Sequence, residues 1–346
     1  MKMNLPWVES PFFEQILPTK KLNPAEAKLA SDYHEKGYVI LKNVFSTELI
    51  DQVIEEMQTK GFNPDYPIET FRNDIRIQDL WQYSAAAKNM AAHPEIIKTL
   101  EMLYGRKAIP FQTLNFKVGT QQRAHSDTLH FSSLPARYMC GVWVALEDIT
   151  PDNGPLFYYP GSHRTPEYNF SHFKNSIEDN SYDDYPAYEN FMESLMDASP
   201  YEKQHFLAKK GDALIWSSNI IHGGSPVANP NSTRLSQVTH YFFKDCIYYS
   251  PMSSNTVSGE LLVRNTLINM RTGLKERSTF NGHPTPLIRT HRNLYSINAH
   301  IFYPRMLRFL TDFTFLIKNK GITGFFQVLI HKTRVFMFKI NLIKKI

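Results

Sequence analysis

The sequence predicts a mainly β protein with flanking helices, built around a double-stranded β-helix, the jelly-roll or cupin-like core. Three observations predict it. Helical patterning dominates up to about Tyr104. From Ile109 to about Phe243 the text turns β-like and rich in aromatics. That stretch is cut into short runs by Gly and Pro turns, as facing sheets of short strands require. With 346 residues, 42% hydrophobic and 13% aromatic, the chain can bury a large core in one domain or two.

Asn23 precedes Pro24, an N-cap followed by proline at the first helical position, so a helix opens at Pro24. Gly37 to Val44 reads as the opening strand. Ser46 caps the next helix, which places Ile50, Val53, Ile54 and Met57 on one face. Helical text runs from Ser84 to Ala92, is broken by Pro94, and resumes from Pro94 to Tyr104. In the β region the clearest strands lie within Tyr138–Asp148, Lys210–Trp216 and Arg234–Phe242. Residues 168–203 interrupt them with Tyr- and Asp-rich text and a short helix near Tyr188–Met196. This reads as an insertion over the mouth of a site. The expected plan is an N-terminal arm (1–23), a jelly-roll domain (24–290) and a C-terminal extension (291–346).

Cys140 and Cys246, the two cysteines, sit in apolar strand text and are expected to be buried thiols. No zinc spacing occurs. The opening residues lack a continuous apolar run, so no signal peptide is read and a cytoplasmic location is expected. Net charge is +5 but unevenly spread: residues 301–346 hold nine Lys/Arg against one Asp. The body is therefore weakly acidic, and nothing in it suggests a nucleic-acid partner. The extension interleaves this charge with Phe309–Ile317 and Phe325–Ile330. Its longest stretch without Lys, Arg, Asp or Glu is 11 residues, Gly321–His331, short of the roughly 20 that span a bilayer. Two readings stay open: a basic amphipathic segment on the inner face of a membrane, or helices packed on the body or on a second copy of the chain.

The chemistry is concentrated in His125-Ser126-Asp127 and in His222, with Arg234 beyond it. On a strand, His125 and Asp127 would project to one face. A distant histidine would complete a two-His, one-carboxylate triad of the kind that holds Fe(II) and leaves positions open for ligands and O₂. Arg234 would grip a carboxylate beside the metal through its planar fork. Alone, the triplet also fits a surface turn. The surrounding text sharpens it: Asp152-Asn153-Gly154-Pro155-Leu156, Pro160-Gly161-Ser162-His163, Gly211-Asp212, His222-Gly223-Gly224-Ser225 and the strand after Arg234.

This ordered set, over about residues 25–245, resembles the phytanoyl-CoA dioxygenase family of Fe(II)/2-oxoglutarate oxygenases. The resemblance implies that His125, Asp127 and His222 ligate iron and that Arg234 binds the distal carboxylate of 2-oxoglutarate. It makes Asn115 a second cosubstrate contact and Trp143 an aromatic wall beside it. It implies oxidation of a small-molecule or lipid-linked substrate with O₂, releasing succinate and CO₂. Related halogenating enzymes lack the carboxylate, so Asp127 favours hydroxylation of an unactivated C–H bond. Gln112, Gln121, His130 and Phe131, beside the triad, are substrate-pocket candidates or core. His163 is expected to brace a loop. Two other readings remain: a non-catalytic jelly-roll binder, and a cupin-like metalloenzyme that uses no 2-oxoglutarate.

Overall fold

The computed structural model describes residues 4–61, 63, 70–71, 76–172, 182–255, 259–265, 267–285, 287–289 and 295–296. The chain divides into two units. One is Met1–Thr285 with Arg289–Ser296; the other is Pro286–Ile288 with Ile297–Ile346. Residues 297–346, and with them the membrane and self-association readings of the basic extension, lie outside the described residues.

The N-terminal helices start where their caps dictate. Asn23 Oδ1 accepts the Glu26 N–H at 2.9 Å, and Glu26 Oε2 accepts the Asn23 N–H at 3.1 Å. This capping box satisfies donors at the start of the Pro24–Lys36 helix. Ser46 and Ser84 cap Thr47–Glu56 and Ala85–Ala91 with their hydroxyls, which accept the Leu49 and Ala87 N–H. Pro94 opens the Pro94–Tyr104 helix. The helix expected near Tyr188 is longer than its periodicity suggested and spans Tyr185–Asp197.

Seven strands form an antiparallel sheet in the order Tyr38–Leu41, Ala213–Ser217, Met139–Ala145, Ser236–Phe243, Ala108–Phe116, Arg76–Gln78 and Thr70–Phe71. A second sheet of three strands holds His222–Gly224, Leu156–Tyr158 and Gln204–His205. The β structure continues past the expected limit, with Ile247–Asn255 in a further five-stranded sheet.

The Met139–Ala145 strand is apolar throughout because both its faces are covered. Cys140, Val142 and Val144 join the cluster that includes the helical residues Val53, Leu100 and Tyr104. Trp143 and Ala145, pointing the other way, join Phe116, Leu214, Trp216 and Val238 in a second cluster. The first face seats the helices. The second, inner face holds the tryptophans and the arginine of the site described next.

Candidate active site

His125 and His222 meet through the backbone. They form an isolated antiparallel bridge, with N–H···O distances of 2.9 and 3.0 Å. Their ring centroids lie 4.5 Å apart. Gly223 makes this approach feasible: a Cβ there would lie 2.5 Å from the Phe157 ring and 2.6 Å from the Gln122 carbonyl oxygen.

Asp127 reaches the same point by a turn, which corrects the expectation that the triplet lies on one strand. Ser126 Oγ accepts the Thr128 N–H at 3.2 Å, and Asp127 opens the 3-10 turn Asp127–Leu129. A local hydroxyl-to-backbone bond competes with the ladder here and wins. Convergence thus comes from this turn and not from strand alternation.

One ligand atom from each of His125, Asp127 and His222 can be chosen so that all lie within 4.8 Å of one another, and all three residues are buried. His125 Nδ1 lies 2.8 Å from the Arg123 carbonyl, and His222 Nδ1 lies 3.0 Å from the Ile220 carbonyl. A carbonyl only accepts, so each Nδ1 carries a proton, and Nε2 is the nitrogen each ring has left for a metal. Burial pushes His125 down to about 3, so it is neutral at pH 7. Burial also pushes Asp127 up. The surrounding His222, His240 and His125 and the Trp216 N–H outweigh it and hold the carboxyl below its usual range. Two imidazoles that can each offer Nε2 and one carboxylate are a donor set suited to Fe(II).

Arg234 is 3% exposed, and among the described residues its guanidinium has no ion-pair partner. Nη1 donates to Ser236 Oγ at 2.7 Å, while Nε has no hydrogen-bond partner. The Phe116 and Trp143 ring centroids lie 5.3 and 5.5 Å from its central carbon. Burial pushes its pKa down to about 10, with Glu147 opposing. It therefore remains a cation. Among the described residues no ion pair offsets the burial of this cation, and a carboxylate bound in the cavity would do so.

Arg234 and the triad line one cavity of about 170 Å³, together with Gln112, His130, Phe131 and Trp143. Asn115 and Gln121 are not among the lining residues. Asn115 is buried behind the wall, where Nδ2 donates to Gln237 Oε1 at 3.0 Å and Oδ1 has no partner. Gln121 Oε1 accepts the Val227 N–H at 3.3 Å. His163 sits away from the triad, with Nε2 3.2 Å from the His34 carbonyl.

Three residues to which the sequence alone assigns no role also meet the triad. Trp216 Nε1 donates to Asp127 Oδ2 at 2.8 Å. His240 Nε2 lies 3.7 Å from the same oxygen. Tyr188, from the 168–203 segment, accepts the Ser126 N–H on its hydroxyl at 3.0 Å. Trp216 and His240 looked like strand core, and no local signal announces Tyr188.

Comparison with known proteins agrees with this geometry. A family model described as phytanoyl-CoA dioxygenase matches residues 33–235, a span that includes the triad and Arg234. The peroxisomal phytanoyl-CoA dioxygenase of Rattus norvegicus is 24% identical over 267 residues, covering 68% of this chain and 74% of that protein. An ectoine dioxygenase of Sphingopyxis alaskensis is 26% identical over 232 residues, covering 60% and 72%. Among solved structures, the epimerase SnoN with Fe3+, alpha ketoglutarate and nogalamycin RO superposes with a TM-score of 0.53 at 19% identity, covering 78% of this chain and 97% of that one. EctD from S. alaskensis with 2-oxoglutarate and 5-hydroxyectoine gives 0.51 at 21% identity, covering 70% and 83%. These structures share the jelly-roll fold.

Proposed function

The chain belongs to the phytanoyl-CoA dioxygenase family of Fe(II)/2-oxoglutarate oxygenases, and we propose that it hydroxylates an unactivated C–H bond of a small polar substrate, releasing succinate and CO₂. One observation carries this reading. A single cavity is lined by a buried two-His, one-carboxylate cluster and a buried arginine without an ion-pair partner among the described residues.

His125, Asp127 and His222 would hold the metal. Bound iron supplies the site at which O₂ is reduced at the expense of 2-oxoglutarate. The rest is the work of the chain. Arg234 would take the distal carboxylate of 2-oxoglutarate with two parallel N–H···O bonds, and the Phe116 and Trp143 rings would keep its fork in one plane. Burial of the whole set excludes bulk water and strengthens each charge interaction.

The choice of a polar substrate rests on another part of the lining. Gln112 Oε1 lies 3.0 Å from His240 Nδ1, and His130 Nε2 lies 3.2 Å from the Tyr185 hydroxyl. Burial pushes both histidines down to about 4, so at pH 7 they act as neutral hydrogen-bonding groups. With the Phe131 ring beside them, amide and imidazole groups suit a compact substrate with polar atoms better than a bare alkyl chain. Asp127 supports hydroxylation because its carboxylate would ligate the metal where a halide would otherwise have to bind.

Succinate release tests the reading. Purified protein loaded with Fe(II) is expected to convert 2-oxoglutarate slowly to succinate without substrate, and faster with the right polar compound. His125→Ala and His222→Ala should abolish both metal binding and turnover. No succinate from metal-loaded protein across a broad screen would favour a non-catalytic binder. Turnover of a substrate without 2-oxoglutarate would favour a different cupin-like metalloenzyme.

A further inference from the structure

The two oxygens of the Asp127 carboxylate face different surroundings. Oδ1 is 3.8 Å from Nε2 of His222, itself a member of the triad. Oδ2 lies 2.8 Å from the Trp216 indole nitrogen and 3.7 Å from His240 Nε2. The indole N–H can only donate. His240 does not compete for this oxygen: its Nδ1 proton is directed at Gln112 Oε1 at 3.0 Å, which leaves Nε2 without a proton in the neutral ring. Among the described residues, Trp216 makes the one hydrogen bond to this carboxylate.

Trp216 is itself held tightly. It is 2% exposed and lies on the Ala213–Ser217 strand, opposite Gly141 in register. A Cβ on Gly141 would lie 2.4 Å from two atoms of the indole ring, so only glycine admits the ring in this position. The same ring lies 5.0 Å, centroid to centroid, from His222. One side chain on a rigid central strand therefore touches two of the three triad members.

We infer that Trp216 is a positioning residue that occupies Asp127 Oδ2 and so makes Asp127 a one-oxygen ligand. A carboxylate free to rotate can offer both oxygens and close a position that 2-oxoglutarate or O₂ needs. The indole N–H prevents this by holding Oδ2 in its own hydrogen bond, which leaves Oδ1, the oxygen 3.8 Å from His222 Nε2, as the one free to ligate. Gly141 is the second part of the device, since it fixes where the indole stands.

This inference rests on the metal-site reading above, and the experiment separates the two. Co(II) is titrated into the wild-type protein and into Trp216→Phe, which keeps an aromatic ring and removes the donor. The readouts are affinity and the visible d–d spectrum. Trp216→Phe is expected to change Co(II) affinity about 10- to 100-fold, with a d–d spectrum altered toward higher coordination number and an unchanged circular dichroism spectrum. Wild-type affinity and an unchanged d–d spectrum in Trp216→Phe would overturn the inference alone. Failure of the wild-type protein to bind Co(II) would overturn the metal-site reading as well. If Trp216→Phe does not fold, the wild-type protein still decides. Of its four tryptophans, one indole N–H should show a large Co(II)-induced NMR shift and, in the Zn(II) form, slow exchange with water. Rapid exchange of that proton would show that it is not held by the carboxylate.

Discussion

Replacing Arg234 with methionine should have opposite consequences with and without cosubstrate. In the free protein Arg234 is a buried cation with one neutral hydrogen-bond partner, Ser236. Removing it discards a charge that the site penalises, and also a hydrogen bond worth about 1 kcal/mol. The two terms offset, so the free protein should keep its stability to within about 1 kcal/mol. Binding is different. Losing the partner of a buried carboxylate costs about 2 to 5 kcal/mol, or roughly 30-fold to several thousand-fold in Kd. At 100 times the wild-type Kd, 2-oxoglutarate should stabilise the wild-type protein by about 2.7 kcal/mol. With a Kd about 300-fold weaker, the same concentration should yield only about 0.2 kcal/mol. Thermal melts of Zn(II)-loaded protein, with and without 2-oxoglutarate, measure this directly. Arg234→Lys should recover only part of the shift, because an ammonium cannot form the two parallel bonds. A wild-type ligand shift in Arg234→Met would refute the assignment and move the role to another base, such as Lys117 or Arg123.

Three further outcomes are expected. Burial, with the Arg164 and Arg137 charges, pushes His163 down to about 3. Between its ordinary pKa and that value the unfolded chain binds the extra proton, so stability should fall with falling pH, by roughly 2 to 3 kcal/mol between pH 6.5 and 4.5; urea melts of His163→Asn should show a flatter acid limb, and an equal slope would exclude His163 as its source. Gln112→Leu leaves the His240 Nδ1–H without its acceptor, and should raise KM for the substrate found by screening at least tenfold while substrate-free succinate release changes little; an unchanged KM would remove Gln112 from the substrate wall. If residues 301–346 bind a membrane, full-length protein should co-sediment with anionic vesicles at low salt and deletion of the segment should abolish this, whereas if they pack on the body the deletion should lower thermal stability or cause aggregation; indifference of the full-length protein would end the membrane reading.

How much of this was legible in the sequence depends on how local each cause is. The caps at Asn23 and Ser46 are read from a few neighbouring residues, and both helices begin as expected, whereas Ser84, read as the first helical residue, is the cap of Ala85–Ala91. The strand text around Met139–Ala145 and Ala213–Ser217 is equally plain, because burial on both faces leaves only apolar residues. His125, Asp127, His222 and Arg234 were legible as types and spacings, and the fold brings all four to one cavity. The turn at Asp127 was misread as strand, because a serine that bonds its own neighbour's backbone looks like any polar strand residue. Asn115 illustrates the limit of carrying a role across by resemblance: its side chain bonds Gln237 behind the cavity wall. Trp216 was invisible as a partner of Asp127, 89 residues away, because that bond depends on the register between distant strands. Tyr188 was invisible for the same kind of reason, since its helix could have docked anywhere until the fold placed it.

The hydroxyl that Tyr188 sets against Ser126 bears on engineering. Segments such as 168–203 are natural targets for exchange when a new substrate range is wanted, because such insertions vary while the scaffold stays. Here the exchange would not be modular. The helix carrying Tyr188 accepts the backbone N–H between His125 and Asp127, and its Glu193 pairs with Arg123 just ahead of the triplet. Tyr185, three residues from Tyr188, bonds both Gln122 and His130. A transplanted segment without a hydroxyl at this point would leave a buried amide unsatisfied beside the metal ligands. A chimera made to widen substrate scope should therefore first be judged by whether it still holds metal.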